Sequence, residues 1–161
     1  MDLDRILPNV LVGSCPTSRG DVVHLKAGFG VTAVLNVQTD EDMAFWGIEW
    51  ADFEGAYREA GIECRRVPVP DFDPGELRRR LSDCVQALDA LLRAGHTVYV
   101  HCSAGINRSP STVVAYLHWL QGMTLAEAMA LVTRRRHCDP YLEAIRQASE
   151  DRAAEKDGDS G

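Results

Sequence analysis

Apolar residues follow two rhythms along this chain. Short unbroken runs, Val10-Leu11-Val12, Thr32 to Val37 and Thr97-Val98-Tyr99-Val100-His101, are rich in β-branched residues and bounded by polar or glycine positions. Their length and composition predict buried strands, with a further strand around Ile62 to Val69. The second rhythm is helical. Leu77, Leu81, Cys84, Val85, Leu88, Leu91 and Leu92 recur at three- and four-residue spacing, predicting one face of a long helix that ends at Gly95. Shorter helices are predicted at Gly20 to Ala27, closed by Gly28, and at Trp50 to Ala60, stopped by Gly61. Three more follow the last strand, over 109–121, 125–136 and 140–149. Thr124 and Glu127 form a capping box for the middle one, and Asp139-Pro140 supplies an N-cap and a first-turn proline for the last. From Asp151 onward the chain is polar and glycine-bearing, which predicts a disordered tail over 151–161 after a single domain over 1–150. Strands alternating with helices imply an α/β domain with a central, largely parallel sheet flanked by helices. Ligands of such sheets sit outside the carboxyl ends of the strands, so chemistry is expected just after Val100.

Composition narrows the function classes. At 161 residues and 45% hydrophobic content the chain can bury a core without disulfide or metal staples. No run approaches the 18 or so uncharged apolar residues that a membrane-spanning helix needs. The Met1-Asp2-Leu3-Asp4-Arg5 start lacks an apolar signal core, which argues against the secretory route. Seventeen basic against 24 acidic side chains, a net charge of −7, argue against nucleic acid and anionic membranes as partners. Cysteines 15, 64, 84, 102 and 138 are odd in number and show no close pairing, as expected of a reducing, cytoplasmic compartment. The sequence carries no signal for oligomeric state.

The segment after Val100 reads His101-Cys102-Ser103-Ala104-Gly105-Ile106-Asn107-Arg108-Ser109-Pro110. A small-residue loop opening into a helix can turn successive backbone N–H groups inward as a nest for an anion, and the helix amino terminus adds partial positive charge. That field favours the thiolate of Cys102, a ready nucleophile. Arg108 offers a planar fork for two phosphate oxygens. Residues 103–108 therefore read as a cradle for a tetrahedral oxyanion with a nucleophile at its floor. The alternative, a packed thiol and a surface arginine, is disfavoured by the strand before the motif and the helix start after it. Histidines 24, 96, 101, 118 and 137 show no metal-ligand spacing, so no metal or cofactor is expected, and His101 is expected to orient the loop.

His101 to Arg108 resembles the signature of the cysteine-dependent protein tyrosine phosphatase superfamily, and the chain from Leu7 to Ser149 resembles its dual-specificity branch. The resemblance implies the dual-specificity phosphatase fold and a cysteinyl-phosphate formed on Cys102. It also implies that Arg108 holds the phosphoryl oxygens and that Ser109 eases thiolate departure. An alkoxide leaving group needs a proton donor. Asp73 precedes Pro74, with Glu76 three residues on, and is explained as a helix N-cap with a capping box. Asp71 has no such role, lies 31 residues before Cys102 as the family's acid does, and is favoured.

Outside the signature, Phe45-Trp46-Gly47, Asp71-Phe72-Asp73, Trp119-Leu120-Gln121-Gly122 and the stretch from Cys138 to Arg146 resemble the starch-excess and laforin-type glucan phosphatases. That resemblance implies a phosphorylated glucan substrate, with Phe45, Trp46 and Phe72 lining the approach and Tyr141 as a neighbour, because sugar rings stack on aromatic faces. The chain departs from that pattern at Asn107, where a glycine is usual, and at Asp139, where an aromatic is usual. The rival readings are a protein phosphatase acting on phosphotyrosine, phosphoserine or phosphothreonine, a non-catalytic phosphate-binding module, and a rhodanese-type sulfurtransferase. The presence of Cys102, Arg108 and Asp71 together disfavours the last two.

Overall fold

The computed structural model describes residues 1–159. Its elements in chain order are β1 (Leu3–Leu7), β2 (Val10–Gly13), α1 (Arg19–Phe29), β3 (Ala33–Asn36), α2 (Asp40–Phe45) and α3 (Trp50–Glu59). There follow β4 (Glu63–Arg66), α4 (Pro74–Arg93), β5 (Val98–His101), α5 (Arg108–Leu120), α6 (Leu125–Arg135) and α7 (Leu142–Asp159). The sheet order is β1-β2-β5-β3-β4. All pairings are parallel except that of the edge strand β1, which runs antiparallel to β2 with an irregularity between Arg5 and Leu7.

Unbroken apolar runs form the strands because both faces of the sheet are covered. Val10, Val12, Ala33, Leu35, Val98 and Val100 point into the larger core with α4, α5, α6 and α7. The alternate residues Leu11, Val34 and Tyr99 point the other way, into a smaller core with α1 and α3. Trp50, Phe53 and Tyr57 lie in that second core as a packed helix face, Trp50 and Phe53 at its margin. The apolar stripe of α4 is buried along its whole length, from Leu77 to Leu91. The capping box of α6 forms as expected, with the Thr124 hydroxyl on the Glu127 N–H and the Glu127 carboxylate on the Thr124 N–H.

Several expectations are corrected. β1 and α2 were not anticipated; β4 is confined to Glu63–Arg66, and α1 ends at Gly30 rather than Gly28. α7 begins at Leu142, because Asp139 is tied to the Cys102 loop instead of capping a helix: its N–H donates to Ile106 O at 2.7 Å. Residues 151–159, expected to be disordered, continue α7, and a two-bond Arg78–Asp151 ion pair joins that extension to α4. Ser160 and Gly161 of the expected tail lie outside the described residues.

Candidate active site

β5 is buried throughout and delivers Cys102 to the carboxyl end of the sheet. α5 then begins at Arg108, with Pro110 in its first turn, where a missing N–H costs nothing. Between them, every backbone carbonyl from Cys102 to Asn107 accepts a hydrogen bond from outside the cradle. His101 Nδ1 donates to Cys102 O at 3.0 Å. Cys15 N–H donates to Ser103 O at 2.9 Å and Asp139 N–H to Ile106 O at 2.7 Å. Arg136 supplies Ala104 O at 3.2 Å and Gly105 O at 2.7 Å. Ser111 donates to Asn107 O through both N–H and hydroxyl. In a trans peptide the carbonyl of one residue and the N–H of the next point in opposite directions, so carbonyls pinned outward turn the following N–H groups inward. The Gly105 N–H accordingly reaches Cys102 Sγ at 3.3 Å. The Ser109 hydroxyl lies 3.2 Å from the same sulfur.

Two glycines permit this packing. Gly105 has φ of +70°, and a Cβ there would fall 2.4 Å from the Gly13 carbonyl carbon. A Cβ on Gly13 would meet Asp2 O at 2.2 Å. The loop thus lies directly on the end of β2.

Arg108 is 2% exposed and has three carboxylate or carbonyl partners. Its Nη1 donates to Asp42 Oδ2 at 2.6 Å and Val69 O at 2.7 Å, and its Nη2 lies 3.2 Å from Asp71 Oδ2. Its Nε–H is buried and has no hydrogen-bond partner. Asp42 is fixed in turn, since its carboxylate accepts from Thr39 N–H at 2.9 Å while the Thr39 hydroxyl caps Asp42 N–H. Burial pushes the Asp42 carboxyl up, but the Arg108 guanidinium and the Thr39 N–H outweigh it and hold the group below the usual carboxylate range. His101 is fully buried, and loss of hydration pushes its pKa down to about 4. It is neutral, with its hydrogen on Nδ1, because a carbonyl only accepts. The other thiols are pushed up by burial: Cys15 to about 11, and Cys64 and Cys84 to about 12, with Cys138 raised as well. All five cysteines are free.

A groove of about 800 Å³ opens over this arrangement, lined by Asp42, Phe45, Trp46, Asp71, Phe72, Ser103 and Ala104 among others. Phe45, Trp46 and Phe72 are exposed, Phe45 and Trp46 stacking edge to face. Phe45 and Trp46 sit at the end of α2, a helix that was not anticipated. Phe72 lies in the turn before α4 with φ of +56°, unusual for a non-glycine residue. Asp73 caps α4, its side chain accepting from Glu76 N–H at 3.0 Å, as expected; Glu76 does not complete the box and instead pairs with Arg79 and Arg80. Tyr141 is not brought to the groove. It is half-buried against the larger core, and its N–H donates to the Ser111 hydroxyl. Asp42 and Arg136 were missed by sequence reasoning. Thr39-x-x-Asp42 is a legible capping box, but nothing local in sequence ties Asp42 to Arg108 or Arg136 to the loop. Among the described residues no three His, Cys, Asp or Glu side chains gather as a metal site.

This geometry, a thiol under a nest of backbone N–H groups beside a buried arginine, is that of a cysteine-dependent phosphatase. Residues 11–150 match the dual specificity phosphatase catalytic domain, and the chain belongs to that family. Among curated proteins it is similar to phosphoglucan phosphatase DSP4 of Castanea sativa, an amyloplastic protein, with 37% identity over 91% of this chain and 39% of that one. It is 35% identical to phosphoglucan phosphatase LSF1 of Arabidopsis thaliana, a chloroplastic protein, over 94% of this chain and 25% of that one. Mouse laforin is also 35% identical, over 94% of this chain and 49% of laforin. The chain thus spans between a quarter and half of the length of these relatives. Among solved structures, human DUSP28 superposes with a TM-score of 0.70 at 28% identity, covering 96% of this chain and 95% of that one. PTPMT1 superposes with a TM-score of 0.75 at 26% identity, over 96% of this chain and 99% of that one.

Proposed function

We propose that this domain is a metal-independent phosphomonoesterase that removes phosphate from phosphorylated glucan. The observation that carries the reading is the groove itself, which three exposed aromatics line together with Asp71 and with Ser103 and Ala104 of the oxyanion cradle. A tetrahedral phosphate fits the inward N–H groups of residues 103–107 and the Arg108 fork. The Cys102 thiolate attacks phosphorus in line, the phosphorus–oxygen ester bond breaks, and the departing alkoxide takes a proton from Asp71. Phosphate entering the Arg108 fork competes with Asp71 for Nη2. In the second step Asp71, now a carboxylate, takes a proton from water. The water oxygen attacks the cysteinyl-phosphate, and the Ser109 hydroxyl donates to the leaving Cys102 sulfur. Phe45, Trp46 and Phe72 offer apolar faces to sugar rings on either side of the phosphate. Three relatives named for glucan phosphatase activity or as laforin, each matched across more than nine-tenths of this chain, support the same substrate class. A reducing compartment such as the cytoplasm goes with this mechanism, since the nucleophile must stay a thiol.

The second reading is dephosphorylation of proteins. It is favoured by similarity to human dual specificity protein phosphatase 2, 34% identical over 82% of this chain and 37% of that one. Phosphate release from solubilised amylopectin or glycogen, measured beside a phosphopeptide panel with Cys102→Ser as blank, separates the two. Preference for glucan is the expected result, and preference for peptides overturns it.

A further inference from the structure

We propose that Arg136 is a positioning residue for the oxyanion cradle, a role that rests on the phosphatase reading above and lies outside the groove. Arg136 follows α6 and is 2% exposed, far from the usual setting of an arginine. It does not line the groove itself. Its guanidinium reaches the back of the loop, Nε donating to Gly105 O and Nη2 to Ala104 O, while Nη1 is held by Asp2 Oδ1 at 3.0 Å and Asp4 Oδ2 at 2.9 Å. The consequence follows from peptide planarity. Pinning Ala104 O outward aims the Gly105 N–H at Cys102 Sγ, as observed, and pinning Gly105 O outward aims the Ile106 N–H the same way. Arg136 thus controls two of the donors that would meet a phosphoryl oxygen.

Each of the two peptide planes has the guanidinium as its anchor, whereas the neighbouring planes are held by backbone donors, Cys15 N–H and Asp139 N–H. The planar fork matters more than the charge. Two adjacent carbonyls need two donors at fixed separation, which an ammonium group does not present in one plane. Asp2 and Asp4 balance the buried charge and hold the fork flat against the loop. Gly105 is part of the same contact, because a Cβ there would lie 2.8 Å from Arg136 Nη2.

The test compares the wild type with Arg136→Gln, Arg136→Lys and Arg108→Ala. It measures binding of inorganic tungstate by calorimetry, kcat and KM on an aryl phosphate, and the melting temperature. The expected result is a loss of tungstate affinity of about tenfold in Arg136→Lys, and more in Arg136→Gln, with kcat falling in step while the melting temperature of the lysine variant stays near that of the wild type. Wild-type affinity in Arg136→Lys overturns the proposal, since it would mean that a positive charge alone suffices. If Arg136→Gln does not fold, the lysine variant decides by the same criterion. Failure of the wild type to bind tungstate, or binding that survives Arg108→Ala, overturns the phosphatase reading and this proposal with it. Wild-type binding that Arg108→Ala abolishes and the Arg136 variants leave unchanged overturns this proposal alone.

Discussion

The loop around Cys102 and the aromatic rim above it are held in place by opposite means. In the loop each carbonyl from Cys102 to Asn107 is tied to a donor behind it, and the residues doing the tying are mostly buried. On the rim, Phe45 and Phe72 are 82% and 86% exposed, and Phe45 leans on its neighbour Trp46. The first region can read only what all phosphate esters share, a tetrahedral oxyanion. The second offers exposed apolar faces, to which the proposed function gives the task of telling a sugar ring from a peptide. On the proposed function, chemistry and choice of substrate fall to separate parts of one groove, and altering one should leave the other in place.

Mutations of the nucleophile and of the arginine in the loop should abolish turnover on every substrate alike. Cys102→Ser is expected to leave no measurable phosphate release, and Arg108→Ala to lower kcat by about 10³ on glucan, peptide and aryl phosphate. A variant that spared one substrate class would break the comparison. Asp71→Asn should lower kcat by about 10²–10⁴ on an alkyl phosphate and much less on an aryl phosphate with a good leaving group. Asp73→Asn should spare turnover and cost at most about 1 kcal/mol of stability, because asparagine also caps helices well. If Asp73→Asn shows the leaving-group dependence instead, the acid is Asp73.

A third prediction concerns His101, buried and neutral behind the loop. Its folded pKa of about 4 lies below the ordinary value of about 6.5, so between those limits the unfolded chain binds more protons than the folded one. Stability should rise with pH across that window, reach its full value above about pH 6.5, and lose about 3 kcal/mol toward pH 4. Urea unfolding of the wild type against His101→Asn checks this, the variant losing about 1.4 kcal/mol per pH unit of slope. Equal slopes would mean that His101 does not titrate as its burial requires. The smallest effect belongs to the rim. Trp46→Ala or Phe72→Ala should lower kcat/KM on soluble glucan about tenfold and on an aryl phosphate less than twofold. Equal losses would reduce these aromatics to packing.

Much of this was legible in the chain. The buried strands, the α4 stripe, the α6 capping box and the signature loop are local patterns, and local patterns survive translation into structure. β1 was not legible, because Asp4 and Arg5 interrupt its apolar residues and its place depends on pairing with β2. α2 has only six residues, too few to show a period, although its Thr39–Asp42 box was there to be read. The start of α7 was misread for a more instructive reason. Asp139-Pro140 has the composition of a helix cap, yet Asp139 is occupied on both sides of its peptide by Ile106 O and the Asn107 side chain. Arg136 was invisible because its partners lie 31 to 134 residues away. What sequence reading lacked was not the chemistry of the loop but the set of residues that brace it from behind.

Tying the loop through its backbone leaves two of its side chains free to change. Ala104 and Ile106 are exposed, and Ala104 borders the groove, yet neither side chain takes part in holding the loop. Charged residues at these two positions would alter the electrostatic character of the groove while every carbonyl kept its donor. A scaffold of this kind separates the charge its groove presents from the backbone that shapes the oxyanion cradle, so the first can be changed while the second stays put.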